Sequence, residues 1–161
     1  MSERMSMPRM LTALILSVWL VLPLQARAVD VPALTDLRAD LAQMQARRLP
    51  MVLLVHTPGC SFCHYVLEEH LRPMILSGQY VDRALIRQLA AVADEWLIDA
   101  RGQRVSAKDF ARSLGVHFYP TLFILGPEGR VLGEPLVGVA NTELYGTQLE
   151  SALQKAEARL K

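Results

Sequence analysis

The sequence predicts an α/β domain in which a central mixed β-sheet is flanked by helices. Three observations predict it. Two uninterrupted apolar runs of strand length, Met51–Val55 and Thr121–Leu125, read as buried central strands. Stretches with apolar residues at spacings of three and four precede the first run, follow it, and close the chain. The order of patterns is helix, strand, helix, strand, short helix, strand, strand, helix, which makes a parallel βαβ unit followed by a hairpin under a last helix.

Each element has its own signal. Val31 to Arg48 reads as a helix, because Leu34, Leu37, Leu41 and Met44 share a face and Arg47, Arg48 and Pro50 mark an end. After Met51–Val55 comes a Pro58-Gly59 turn, and a second helix opens near Cys60. Its inner face carries Val66, Leu67, Leu71, Met74 and Ile75; Pro73 ends or kinks it, and Ser77-Gly78 closes the segment. Ala84–Leu89 is the second strand. Trp96–Asp99 and Gln103–Val105 flank Ala100-Arg101-Gly102 as a small hairpin. Ser106-Ala107-Lys108-Asp109 resembles a capping box before a short helix stopped by Gly115. Beyond Thr121–Leu125, the turn Gly126-Pro127-Glu128-Gly129 leads to a return strand in two pieces, Arg130–Leu132 and Leu136–Val139, with Gly133 and Pro135 between them. Asn141 or Thr142 caps a final helix whose apolar face holds Leu149, Leu153, Ala156 and Leu160.

Composition bounds the rest. With 161 residues, 52% of them hydrophobic, the chain can bury one sizeable core. A net charge of +1 and the lack of any Lys/Arg-rich run give no electrostatic footprint for nucleic acid. The amino end has three parts: Arg4 and Arg9, an apolar stretch from Met10 to Leu24, then Ala26-Arg27-Ala28. That is the pattern of a secretory signal peptide, with residues 1–28 removed and residues 29–161 forming the domain. The apolar stretch is shorter than the roughly 20 residues of a spanning helix, although an uncleaved segment would tether the domain to a membrane. Export would place the protein in the periplasm, an oxidising compartment where cysteines pair.

The chain has two cysteines, and they are three apart, in Cys60-Ser61-Phe62-Cys63. A disulfide across so short a loop gains little chain entropy and is a poor staple. At the amino end of a helix, exposed N–H groups and the helix dipole favour the thiolate of the first cysteine. Compartment and spacing together point to redox chemistry.

The strand, Cys60-Ser61-Phe62-Cys63, Phe118-Tyr119-Pro120-Thr121-Leu122 and Gly-Pro-Glu-Gly together resemble the thioredoxin superfamily, over roughly residues 45–160 and most closely in its exported, SoxW-type flavour. The resemblance implies a thioredoxin fold and a thiol–disulfide oxidoreductase. Cys60 would attack a substrate disulfide and Cys63 would resolve the mixed disulfide. Pro120 would match the family's cis-proline, which with Tyr119 and Phe62 would shape the substrate groove. His64 would stabilise a thiolate when protonated. The partners implied are disulfide-containing exported proteins and a membrane thiol electron donor. No organic cofactor and no metal are implied, since the cysteines carry the electrons. Two departures stand out. Gly59 precedes the first cysteine where thioredoxins carry Trp, and Leu54 stands where many members have a buried acid.

Other readings stay open at this level. Cys60-Ser61-Phe62-Cys63-His64 also matches the attachment motif for c-type haem. Cys60 and Cys63 with His56, His64 or His70 could ligate copper or zinc. A redox-inactive binding module could retain the fold. The direction of the reaction, the potential, the oligomeric state and the role of residues 90–105 are not legible in the sequence.

Overall fold

The computed structural model describes residues 29–161; the expected signal segment, residues 1–28, lies outside the described residues. The elements are α1 (Leu37–Arg47), β1 (Met51–His56), α2 (Ser61–Val66), a π-helical turn (Leu67–Leu71), α3 (Arg72–Leu76), β2 (Leu85–Ala90), β3 (Trp96–Ile98), β4 (Arg104–Ser106), α4 (Ala107–Ser113), β5 (Thr121–Leu125), β6 (Leu136–Val137) and α5 (Thr142–Leu160).

The main sheet has the order β2-β1-β5-β6. β1 and β2 run parallel, with Met51 opposite Leu85, while β5 runs antiparallel to both β1 and β6. β1 is central, which is why its first five residues are all buried. Side chains of successive strand residues alternate between two cores. Leu53, Val55, Phe123 and Leu125 pack with Leu37, Leu41 and Met44 of α1 and Ala107 and Ala111 of α4. Val52, Leu54, Leu122 and Ile124 pack with Val66, Leu71 and Met74 of the cysteine helix and Tyr145, Leu149 and Leu153 of α5. This is the α/β arrangement of a mixed sheet flanked by helices that the sequence predicts. β3 and β4 form a separate two-stranded hairpin between β2 and α4.

Three boundaries differ from the sequence reading. The first helix begins at Leu37, not Val31, because Asp36 caps it by accepting a hydrogen bond from the Ala39 N–H at 2.9 Å. Residues 31–36 run extended: the Leu34 N–H donates to Gln88 O and the Gln88 N–H to Pro32 O, so this segment flanks β2. The cysteine helix is interrupted at Leu67–Leu71, where the Arg72 N–H reaches back to Leu67 O in a wide turn just before Pro73. The return strand shrinks to Leu136–Val137, with Val131 making an isolated bridge to Leu125. Between them Gly133 adopts φ +86°, a left-handed conformation that strand pairing cannot use.

Polar clamps tie the layers. Arg87 on β2 donates two hydrogen bonds to Asp40 of α1, at 2.8 and 2.7 Å, in a mostly buried fork. Arg83 binds both Glu150 and Glu157 of α5. Among the described residues, no helix is long and apolar enough to cross a membrane.

Candidate functional site

The site grows out of the carboxyl end of β1. The chain leaves the sheet after His56 and turns through Pro58 and Gly59, which has φ +75°. It then enters α2 with Cys60 in the capping position. Cys60 is extended (φ −88°, ψ 107°), and its sulfur accepts a hydrogen bond from the Cys63 N–H at 3.1 Å. Its carbonyl accepts from the His64 N–H. The sulfur thus receives a main-chain donor at the amino end of the helix.

Cys60 and Cys63 are joined in a disulfide, with their Cα atoms 5.2 Å apart. The pair is asymmetric: Cys63 is 2% exposed, whereas Cys60 is partly open. An incoming sulfur therefore has access to Cys60 first. The shared carbonyl-end cleft is lined by His56, Thr57, Pro58, Gly59, Cys60, Ser61, Cys63, His64 and Leu67.

The remaining predicted site residues are placed as follows. Phe62 projects outward at 53% exposure. His64 is solvent-facing, 3.7 Å from the Glu68 carboxylate, and Glu68 is also paired with Arg72. The Tyr119–Pro120 peptide bond is cis. The sheet register pairs Thr121 with Val55, so this bond lies beside the end of β1 from which the cysteine turn departs. Pro120 is buried; its carbonyl accepts from the Gly138 N–H at 2.7 Å. Tyr119 is 37% exposed and Phe118 70% exposed. Phe118 was not among the candidate residues, although an aromatic directly before Tyr-Pro was visible in the sequence. Thr121 donates through its hydroxyl to Phe118 O and so anchors that loop.

Of the three histidines considered as metal ligands, the structure brings His56 and His64 to the cysteine cleft and places His70 elsewhere. His70 packs against Tyr145 and Gly146 and hydrogen bonds the Tyr65 hydroxyl at 3.2 Å. Among the described residues, no group of three His, Cys, Asp or Glu side chains is arranged to hold a metal ion. The pKa of His56 is lowered by burial, against the opposing pull of nearby Glu95 and Asp30. Leu54 is fully buried among apolar neighbours, and no carboxylate stands at that position of the strand.

Comparison with known proteins agrees with this geometry. A family model described as a thioredoxin-like domain matches residues 37–154. No curated protein matches the chain. Among solved structures, thioredoxin f from spinach chloroplast (long form) is 23% identical, with a TM-score of 0.52, and the match covers 78% of this chain and 88% of that one. Mitochondrial thioredoxin 3 from Saccharomyces cerevisiae, in its oxidised form, is 21% identical with a TM-score of 0.50, covering 77% of this chain and 93% of that one. At these identities the likeness concerns the fold.

Proposed function

The chain belongs to the thioredoxin-like family, and from that premise we propose that it is an exported thiol–disulfide oxidoreductase that reduces disulfides of other exported proteins. The observation that carries the reading is the Cys60–Cys63 disulfide, held with Cys60 at the amino end of a helix and Cys63 behind it.

The steps follow from that asymmetry. In the dithiol form, the Cys60 thiolate attacks one sulfur of a substrate disulfide. The substrate S–S bond breaks, a Cys60–substrate disulfide forms, and the first substrate thiolate leaves and takes up a proton. The Cys63 thiolate then attacks Cys60 Sγ, releasing the second substrate thiolate and closing the Cys60–Cys63 bond. Two electrons pass from the protein to the substrate. Only the thiolate is nucleophilic at each attack, so the donor at Cys60 and any base near Cys63 govern the rate. Phe62, Tyr119 and Pro120 would form the substrate-facing edge, with the exposed Tyr119 flank offering main chain to an extended peptide. His64 would add positive charge near the thiolate when protonated.

The amino-terminal pattern of residues 1–28 supports export and cleavage after Ala28, giving a periplasmic domain of residues 29–161. In an oxidising compartment a reductase must be recharged, so the partner is a membrane thiol donor, as in the SoxW-type flavour of the family. No organic cofactor is needed.

The test is a redox titration of the Cys60–Cys63 pair against glutathione. A potential near that of thioredoxin, about −270 mV, agrees with reduction; one near that of the oxidant DsbA, about −120 mV, reverses the direction. A parent protein that fails to reduce insulin would count against the enzyme itself.

A further inference from the structure

Resting on the exchange reaction proposed above, we propose that His56 is the base that takes the proton from the Cys63 thiol when Cys63 resolves the mixed disulfide.

The need for a base comes from burial. Cys63 is 2% exposed and lies one turn of α2 before Val66, the other buried residue of that helix, which packs in the core of Val52 and Leu54. An apolar surrounding favours the neutral thiol, yet the resolving step requires the thiolate. Apart from the two cysteines, the titratable side chains lining the cleft are His56 and His64. His64 points into solvent, with its side chain 75% exposed, and faces Glu68. His56 is different. It is the last residue of β1, two beyond Leu54 and four beyond Val52, so strand alternation turns it to the face covered by the cysteine helix. It is partly buried and reaches the same cleft as both sulfurs.

The surroundings of His56 suit a proton acceptor. Burial lowers its pKa, so the ring is a neutral imidazole at neutral pH. The groups that face it are the amide of Gln88 on β2, the carboxylates of Asp30 and Glu95, and the Thr57 main chain; His64 lies across the cleft with Glu68 beyond it. The two carboxylates stabilise the imidazolium once the proton arrives. The balance is simple. The Cys63 S–H bond breaks and its proton moves to the imidazole. The Cys63 thiolate forms the S–S bond to Cys60 as the substrate sulfur departs. The imidazolium returns its proton to that thiolate or to water.

Dithionitrobenzoate, added to the reduced protein at one equivalent, separates the steps. The first coloured thiolate is released by Cys60 in a bimolecular phase and the second by Cys63 in a unimolecular phase. Because this leaving group needs no proton, the second phase reads the base alone. His56→Gln is expected to leave the first phase intact and slow the second on the order of 10²-fold at neutral pH, the lower range for general base assistance. The difference should close at alkaline pH, where the thiol ionises unaided. Equal slowing of both phases, no slowing, or slowing by His64→Gln in place of His56→Gln would overturn the assignment. If His56→Gln does not fold, the parent profile decides. A second phase that persists at neutrality and falls only as pH drops below about 6.5 supports it, and one that rises only with unaided thiol ionisation, at about 8.5 or above, overturns it. A parent that shows the His56-dependent second phase but reduces no insulin defeats the proposed function and leaves this inference standing.

Discussion

At the scale of single residues, the two sulfurs differ in access, and that difference has consequences. Cys60 is partly open and Cys63 is buried. Cys60→Ser should abolish insulin reduction outright. Cys63→Ser should retain the attack and stall at the mixed disulfide, so that non-reducing electrophoresis shows covalent adducts with disulfide-containing proteins; a variant that turns over normally would show that Cys63 does not resolve. A second residue prediction concerns stability. The Tyr145 hydroxyl is buried without a hydrogen-bond partner among the described residues, and burial raises its pKa. A buried unpaired hydroxyl is a liability of roughly 1–3 kcal/mol. Tyr145→Phe should therefore raise the urea midpoint, by about 1 kcal/mol of stability, with no effect on exchange; a loss of stability would mean that the hydroxyl has a partner. The cysteine pair and the Tyr119-Pro120 dipeptide were legible in the sequence because their chemistry is local. The place of His56 was not, since a lone histidine ending a strand acquires meaning only when the helix folds over it.

At the scale of elements, the π-helical turn is what the sequence concealed. Apolar spacing carries through Val66, Leu71 and Met74 whether the helix is regular or widened once, so periodicity does not reveal it. The same ambiguity hid the start of α1. Val31 and Leu34 are buried at helical spacing from Leu37, yet they belong to an extended segment beside β2. The widened turn sets His70 between Tyr65 and α5: the Tyr65 hydroxyl donates to Thr142 O at 2.9 Å and so accepts from His70 Nε2. A β-carbon at Gly146 would lie 3.2 Å from His70 Cε1. Alanine normally gains about 1 kcal/mol over glycine inside a helix. Gly146→Ala should gain nothing in the parent and recover that increment in a His70→Ala background, as a denaturation cycle would reveal; a gain in both backgrounds would mean that the ring yields freely. Burial also lowers the His70 pKa, opposed by Glu69. The unfolded chain then binds the proton more tightly than the folded one, so stability rises with pH through the window from the folded value up to about 6.5 and is lost below it. His56 adds a contribution of the same sign. His70→Gln should flatten part of this acid sensitivity in urea midpoints measured across that window; an unchanged slope would show that the ring titrates normally.

At the scale of the whole molecule, the disulfide stands apart from what holds the chain together. The two cores lie on opposite faces of the main sheet, and their packing runs through α1, α4, α5 and the strands. That architecture was readable because two strands are apolar throughout and the helices between them carry clear faces; the detached β3–β4 hairpin was readable from its central turn at Gly102. The Cys60–Cys63 bond spans a sequence separation of only 3 at one end of the sheet. In the chain-entropy account, closing so short a loop restricts the unfolded state by about 2 kcal/mol at most. The dithiol form should therefore remain folded. Thermal unfolding in the presence of reductant should still show one cooperative transition, lowered by less than about 10 °C. Loss of cooperative unfolding on reduction would make the bond a structural staple, and a staple cannot be opened at every turnover. Retention of the fold is the condition on which a protein that works by opening and closing this bond depends, because the turn that carries Cys60 and the Tyr119–Pro120 bond beside it must keep their places in both redox forms.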